Sequence, residues 1–405
     1  MEYKAYYGLP DKVVFCRECV ISNQRPGSTV EFTNKNLKKE TIQFNEEGIC
    51  SACQYNRQKK EIDYQRRQEA LFEFLDRYRK SDGTYDVIVP SSGGKDSSFT
   101  THCVKTKYKM NPLAVTWAPH IYTEVGWRNF NNLSRTGGVD SILYTPNGDL
   151  HRLLTRLAFE NLCHPFQPFI HGQKIIGPSM ALKFGVSLVM YGENQAEYGN
   201  DIRDNLRNTM DYSFFSVDNP LEMVMGGMAV RDIIEKYGFS LKDFAPYIPP
   251  KADDLRSRNI QVHYLGFYER WDPQEMYYYA SEHTGFQAAP ERSIGTYSKY
   301  TEIDDILIPF HFYTTYIKFG IGRATYDAAQ EIRNGKIARE EGVALVRKYD
   351  GEFPEKYFKQ FLEYMNISEE RFWEVVDNAR SPHLWKKENN RWVLRHAVAE
   401  ELEVI

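Results

Sequence analysis

Apolar and polar positions change rhythm twice along the chain. Residues 1–60 carry little apolar periodicity and many turn formers, Asn23, Pro26, Gly27, Asn34 and Asn36 among them. Over 57–80 a helical period sets in. Leu71, Phe74, Leu75 and Tyr78 share one stripe, and Arg, Lys, Glu and Gln cover the other faces. Short apolar runs then alternate with helical segments. Asp86-Val87-Ile88-Val89, Leu113-Ala114-Val115-Thr116-Trp117, Ser141-Ile142-Leu143-Tyr144 and Val186-Ser187-Leu188-Val189-Met190-Tyr191 read as strands. Residues 99–107, 123–135, 150–162 and 176–184 read as helices, the second closed by Gly137-Gly138. This alternation predicts an α/β fold with a parallel sheet. The last strand is nearly all apolar, as a strand covered on both faces should be.

Beyond 205 the pattern loosens. Met223, Met225 and Met228 read as adaptable core, Ser240-Leu241-Lys242-Asp243 as a capping box, and Pro246, Pro249 and Pro250 as a connection. From 263 aromatics are dense, and helices follow over 325–334, 337–348 and 368–379. The expected organisation is a module over 1–60, an α/β domain over 61–215 and a mainly helical portion over 216–405.

Charge and cysteine content narrow the class. A formal charge of −4 over 405 residues argues against a broad nucleic-acid surface. No apolar run reaches the length of a membrane span, and Met1-Glu2-Tyr3-Lys4 opens no signal peptide, so a cytoplasmic location is expected. Four of the six cysteines form two Cys-x2-Cys pairs, Cys16/Cys19 and Cys50/Cys53. In a reducing compartment such pairs read as metal ligands, and four thiolates suit one structural, tetrahedral Zn²⁺. Metal binding would replace the core that so short a module cannot build. Cys103 is expected in the core. Cys163-His164 is adjacent in sequence only, which does not define a catalytic dyad.

Candidate chemistry gathers at the strand ends, because ligands of open α/β sheets bind beyond the carboxyl ends of the strands. Those ends are Pro90-Ser91-Ser92, Thr116-Trp117-Ala118, Thr145-Pro146 and Gly192-Glu193-Asn194. After the first strand comes Ser92-Gly93-Gly94-Lys95-Asp96-Ser97. Gly93 and Gly94 let the backbone approach phosphate, Ser92 and Ser97 offer hydroxyls, and Lys95 neutralises charge. An acid in such a loop does not welcome an anion, so Asp96 points to Mg²⁺ bridging phosphate oxygens; its plainer reading is a helix N-terminal acid. Glu193 is placed to bind metal or a substrate hydroxyl. Asn194 is placed to bind nucleotide or substrate, with a turn cap as its plainer reading. Asn200, Asp201 and Arg203 extend this polar run, and His171, Gln173 and Lys174 lie near it. Lys299, Lys318 and Arg323 are candidates for an anionic group of the substrate, or else surface cations.

The 92–97 loop resembles that of the ATP pyrophosphatases, which cleave ATP between its α- and β-phosphates. That resemblance implies an adenine-nucleotide alpha-hydrolase-like domain with ATP on the loop, beside Thr116 and Gly192. Taken with the paired cysteines, Tyr191-Gly192-Glu193-Asn194, Gly295-Thr296-Tyr297-Ser298-Lys299-Tyr300, Lys318-Phe319-Gly320-Ile321-Gly322-Arg323 and Arg380-Ser381-Pro382-His383-Leu384-Trp385, the chain resembles the N-acetyl sugar amidotransferases. These serve bacterial O-antigen (lipopolysaccharide) and flagellin-sugar pathways. The resemblance implies conversion of an acetamido to an acetamidino group through an O-adenylyl intermediate, with Asp96, Lys95 and Glu193 as catalytic residues. It also implies ammonia from a separate glutaminase and a conducting subunit, a pair resembling imidazole glycerol phosphate synthase. The chain itself lacks both an N-terminal cysteine and a Gly-x-Cys-x-Gly elbow. Two rivals remain at this level: a tRNA thiolase using Cys103 or Cys163, and a zinc-bearing scaffold that binds nucleotide without turnover.

Overall fold

The computed structural model describes residues 3–27, 40–199, 207–212 and 216–398. Its centre is a five-stranded parallel sheet: β1 (Val87–Pro90), β2 (Pro112–Trp117), β3 (Asp140–Tyr144), β4 (Leu188–Tyr191) and β5 (Gln261–Tyr264). Spatial order is β3-β2-β1-β4-β5. Ile88 of β1 pairs with Leu113 on one side and Val189 on the other. From β1 the chain first winds one way, through β2 and β3, then returns to lay β4 on the opposite side. The β1/β4 junction is therefore the topological switch point, where a crevice opens beyond the strand ends.

The fifth strand comes from a stretch expected to be mostly connection. Its pairing with β4, Val189 to Val262 and Met190 to His263, carries the sheet past the expected boundary at 215. The strand escapes a pattern search because it is four residues long and contains a buried histidine. His263 is satisfied there by the Tyr268 hydroxyl at 3.2 Å and Gln261 at 3.1 Å.

Helices cover both faces. The expected helix over 57–80 is two: α1 (Ser51–Lys59) and α2 (Tyr64–Asp76). The break falls at Asp63, whose carboxylate accepts the Arg66 N–H at 3.0 Å and caps α2. Leu71 and Leu75 then bury against Val87, Val89 and Leu188. Next come α3 (Lys95–Thr106), α4 (Glu124–Arg135), α5 (Gly148–Leu162) and α6 (Gln167–Phe184). The last of these begins well before the expected residue 176, with Pro168 in its first turn, where a missing N–H costs nothing. Ser240 does not open a helix: Asp243 accepts its N–H and hydroxyl, both at 2.8 Å, within a turn.

The C-terminal portion is mainly helical, with helices Ile308–Phe319, Arg323–Arg333, Arg339–Tyr349, Phe358–Met365 and Glu369–Ala379, and a closing hairpin of Trp385–Glu388 and Arg391–Leu394. Phe310 stacks on Phe361 with centroids 3.9 Å apart, and both join Phe159 of α5 in a core shared with the sheet. The cysteine module is not a satellite on a linker. Its Cys16, Val20, Ile21 and Ile49 bury with Ile321, Ala328, Ala329 and Val343. Arg339 also donates to the carbonyls of Cys19 at 3.2 Å and Cys16 at 3.3 Å. Among the described residues, no helix is long and apolar enough to cross a membrane.

Candidate active site at the switch point

The loop leaves β1 at Pro90 and enters α3 at Lys95 with Gly94 as N-cap. Gly93 has φ +82°, and a Cβ there would lie 2.7 Å from the backbone of Phe130 in α4. Both the left-handed conformation and the close approach demand glycine. The Ser92 hydroxyl accepts the Gly94 N–H at 3.3 Å, and the Ser97 hydroxyl donates to the Gly94 carbonyl at 3.2 Å. The first-turn N–H groups of α3 have no helical acceptor, which makes this end attractive to phosphate.

Lys95 is buried and ion-paired with Asp96. Burial works against its charge, but Asp96 outweighs that and holds the ammonium above its ordinary range. The second Asp96 oxygen, Oδ1, is buried without a hydrogen-bond partner. An ionised carboxylate in that position leaves an uncompensated acceptor, and a divalent cation fits it.

Lys95 and Asp96 line two cavities. One of about 250 Å³ is closed by the loop, Asn129, Phe166, Tyr300, Glu302 and Asp304. The other, about 460 Å³, runs under the cysteine module past Arg25, Glu193, Tyr198, Asp327 and Arg333. Four carboxyls of this crevice, Glu193, Asp304, Asp327 and Glu302, are hard to ionise. Burial, then Asp96, pushes Glu193 up to about 7, although Tyr198 donates to it. Asp304 is pushed up to about 6, by burial first and then by neighbouring Asp305. Burial also raises Asp327, against the pull of Arg323 and of a 2.5 Å hydrogen bond from Thr296. Glu302 keeps exposed surface while lining both cavities; desolvation pushes it up to about 7, with Arg323 opposing. Such perturbed groups around one crevice make it the candidate functional site.

Other sequence candidates fall in different places. Ser92, Gly93, Gly94, Lys95, Asp96 and Ser97 all line the loop cavity, joined by Gln173. Thr116 donates its hydroxyl to the Ser91 carbonyl, so it clamps β2 to the loop from beneath. Gly192 gives Thr100 and Trp271 room, since a Cβ would lie 2.7 Å from Thr100 Oγ1. Asn194 turns away from the crevice: its Oδ1 accepts the Ala196 N–H at 3.1 Å, capping a short 3-10 turn. Lys318 is buried over the ring of Tyr7, 4.9 Å from its centroid, and reaches none of these cavities. Lys299 is exposed and donates to the Pro290 carbonyl. Arg323 is buried at the crevice edge, gripping the Thr301 and Glu302 carbonyls. His171 Nε2 donates to the Tyr247 carbonyl at 2.7 Å, and burial pushes the imidazole down to about 4. Asn200, Asp201 and Arg203 lie outside the described residues. Glu302, Asp304 and Asp327 went unsuspected; the first two follow directly on the Gly295–Tyr300 motif, which was the available signal.

The four paired cysteines converge as expected. All their sulfurs lie within 4.8 Å of one another, with Cys16–Cys53 at 3.9 Å and Cys19–Cys50 at 3.8 Å. Those are not disulfide distances, which run about 2.05 Å. Thiolates about 2.3 Å from one tetrahedral ion sit about 3.8 Å apart, so the donor set suits a closed single-ion site. The module also braces the crevice: the Ser51 hydroxyl donates to Gly199 at 2.9 Å, and buried Lys59 pairs with Glu197 at 2.7 Å.

A parallel sheet with a glycine loop at its switch point, opening onto cavities lined by carboxyls, has the geometry of a phosphate-cradling α/β site. Comparison with known proteins adds a family: residues 294–398 match the model described as LPS biosynthesis protein WbpG-like, C-terminal domain. This span contains three of the motifs behind the resemblance, at 295–300, 318–323 and 380–385, and agrees with it. A search of curated proteins found no match. Among solved structures the chain is similar to an NMN synthetase from Francisella tularensis, at 12% identity and TM-score 0.29, covering 77% of this chain and 96% of that one. It is also similar to the U34-tRNA thiolase NcsA from Methanococcus maripaludis, a structure containing a 4Fe-4S cluster. Identity there is 10% and TM-score 0.27, covering 75% and 86%. At such TM-scores neither likeness bears on this chain's chemistry.

Proposed function

We propose that this chain is an ATP-dependent amidotransferase of bacterial surface-polysaccharide or flagellin-sugar biosynthesis, converting a sugar acetamido group to acetamidino. The observation that carries the reading is the junction itself: a phosphate loop and several hard-to-ionise carboxyls open onto shared cavities. The WbpG-like match supports the polysaccharide setting, and a cytoplasmic location would give access to ATP and reduced thiols.

An amide oxygen is a poor leaving group and must be activated before nitrogen can replace it. In this reading the amide oxygen attacks the α-phosphate of ATP, forming a C–O–P link as the bond to pyrophosphate breaks. Backbone N–H groups of the loop and the Lys95 ammonium stabilise charge on the departing pyrophosphate. Mg²⁺ on Asp96 would supply further neutralisation of phosphate charge. Ammonia then adds to the carbon, and AMP leaves with the original oxygen. The cysteine site is read as structural Zn²⁺. Ammonia is read as coming from a separate glutaminase with a conducting subunit. The thiolase alternative gains nothing, because burial raises the Cys103 thiol and pushes Cys163 up to about 12, and neither lines the crevice.

Mass spectrometry of acetamido sugars incubated with the protein, ATP, Mg²⁺ and ammonium tests the proposal. The expected product is lighter by about one mass unit, NH replacing O, and appears with equimolar AMP. AMP release without that product, or no turnover across acetamido sugars, would sink it.

A further inference from the structure

A third cavity, of about 710 Å³, lies beside the crevice, lined by Thr123, Arg128, Ala289, Ile294, Arg323 and others. Among the described residues, Glu302 alone lines this cavity, the loop cavity and the one under the cysteine module. Its backbone has φ +44°, a left-handed conformation uncommon for a residue with a Cβ. Neighbours hold the strained turn on both sides. Arg323 Nη2 donates to the carbonyls of Thr301 and, at 3.1 Å, Glu302. The Thr123 N–H donates to the Asp304 carbonyl at 3.0 Å, and the Asp305 carboxylate accepts the N–H groups of His120 at 2.7 Å and Leu307 at 2.9 Å. Strain that the surroundings enforce is characteristic of groups aimed for function. No hydrogen bond reaches the Glu302 carboxylate among the described residues. Arg323 and Lys95 face it as cations, and Asp327, Asp304 and Glu193 face it as acids.

We propose that Glu302 is the general base for the nitrogen step of the reaction proposed above, on which this inference rests. Ammonia adds its lone pair to the carbon of the adenylylated amide, forming a C–N bond and leaving an ammonium in the tetrahedral adduct. Glu302 takes one proton from that nitrogen. The C–O bond to AMP then breaks, its electron pair leaving on the AMP phosphate oxygen. The product is an amidinium, and Glu302 returns its proton to solvent. Glu302 suits the task by position, because it faces the loop side where the adenylylated carbon forms and the large cavity beside it.

The test is Glu302→Gln, assayed at a fixed free-ammonia concentration across pH with the sugar that the wild type converts. Amidine formation is expected to fall about 100-fold or more, the usual scale for losing a positioned base. Single-turnover pyrophosphate release should fall by less than about tenfold, which also reports an intact fold. The wild-type rise in amidine formation through about pH 7 should vanish in Glu302→Gln and survive in Glu302→Asp. Amidine formation within about tenfold of wild type with an unchanged pH profile, or equal loss of both half-reactions, would overturn the assignment. Absence of amidine from the wild type would overturn the parent reading, and needs no variant to detect.

Discussion

The protein gathers chemically reactive side chains twice, thiols in one place and carboxyls in the other, and the two gatherings differ in kind. At the cysteine module four sulfurs close on one point at tetrahedral spacing, buried and facing each other. At the switch point Asp96, Glu193, Glu302, Asp304 and Asp327 ring cavities totalling hundreds of Å³, and Asp96 Oδ1 is left without a partner. A closed donor set is spent on folding, whereas an open one keeps room for substrate. A metal held in the closed site would add stability, and the open site costs it, since the Glu193, Glu302, Asp304 and Asp327 carboxyls are harder to ionise than in the unfolded chain. They also share a wall: Ile21, Arg25, Pro26, Ile42 and Ala52 of the module line the open site's larger cavity.

That shared wall makes the closed site the place for the largest effect. Cys50→Ser removes one of the four ligands of the proposed zinc site, and apparent free energies for structural zinc in small modules start at about 10 kcal/mol. The expected outcome is loss of bound metal, rapid proteolysis within the first 60 residues, and loss of ATP turnover as the cavity wall comes away. Elemental analysis with limited proteolysis checks it. A metal-free variant that resists protease and turns over normally would show that no ion organises the module.

Asp96→Asn probes the open site. The substitution removes the proposed cation ligand and the counter-ion of Lys95 while keeping the side chain's shape. AMP formation should drop about 1,000-fold or more, a loss of roughly 4 kcal/mol in transition-state stabilisation. Metal content of the cysteine site and the circular dichroism spectrum should not change. Turnover within tenfold of wild type would mean that Asp96 serves only as a helix N-terminal acid.

The contrast also explains what the sequence disclosed. The loop's position at the crevice was legible because its signal is local: glycines, hydroxyls and a lysine within six residues, between an apolar run and a helix. Glu193 was legible for a similar reason, at the end of an all-apolar strand. The cysteines announce themselves by spacing alone. The opposite wall of the crevice gives no such signal. Glu302, Asp304 and Asp327 lie some 200 residues from the loop, on a turn and a helix whose approach depends on how the C-terminal portion docks. Asn194 and Lys318 misled because polarity near a strand end or a glycine motif suits a binding residue and a structural one equally. One became a cap, and the other buried its ammonium over Tyr7. Docking of the cysteine module was equally silent, since Arg339 and Cys19 carry no pattern that pairs them.

The smallest effect measures the cost of the open site directly. Burial and Asp96 push the folded-state Glu193 carboxyl up to about 7 from an ordinary 4.5. Between those values the folded state binds more protons than the unfolded one, so stability falls as pH rises through that window. Glu193→Gln cannot ionise and escapes the loss. Without divalent ions it should match the wild type at pH 5 and exceed it at pH 8. Discounted for solvent in the cavity and for coupling to Asp96, the gain should be about 1 kcal/mol, or about 1–2 °C in Tm. Thermal unfolding at the two pH values, with and without Mg²⁺, reads it. The gain should shrink with Mg²⁺, because a cation on Asp96 favours ionised Glu193 and relieves the wild type's penalty. An equal shift at both pH values would mean that Glu193 enters the folded state with an ordinary carboxylate. The open site would then carry no cost of its own at that position.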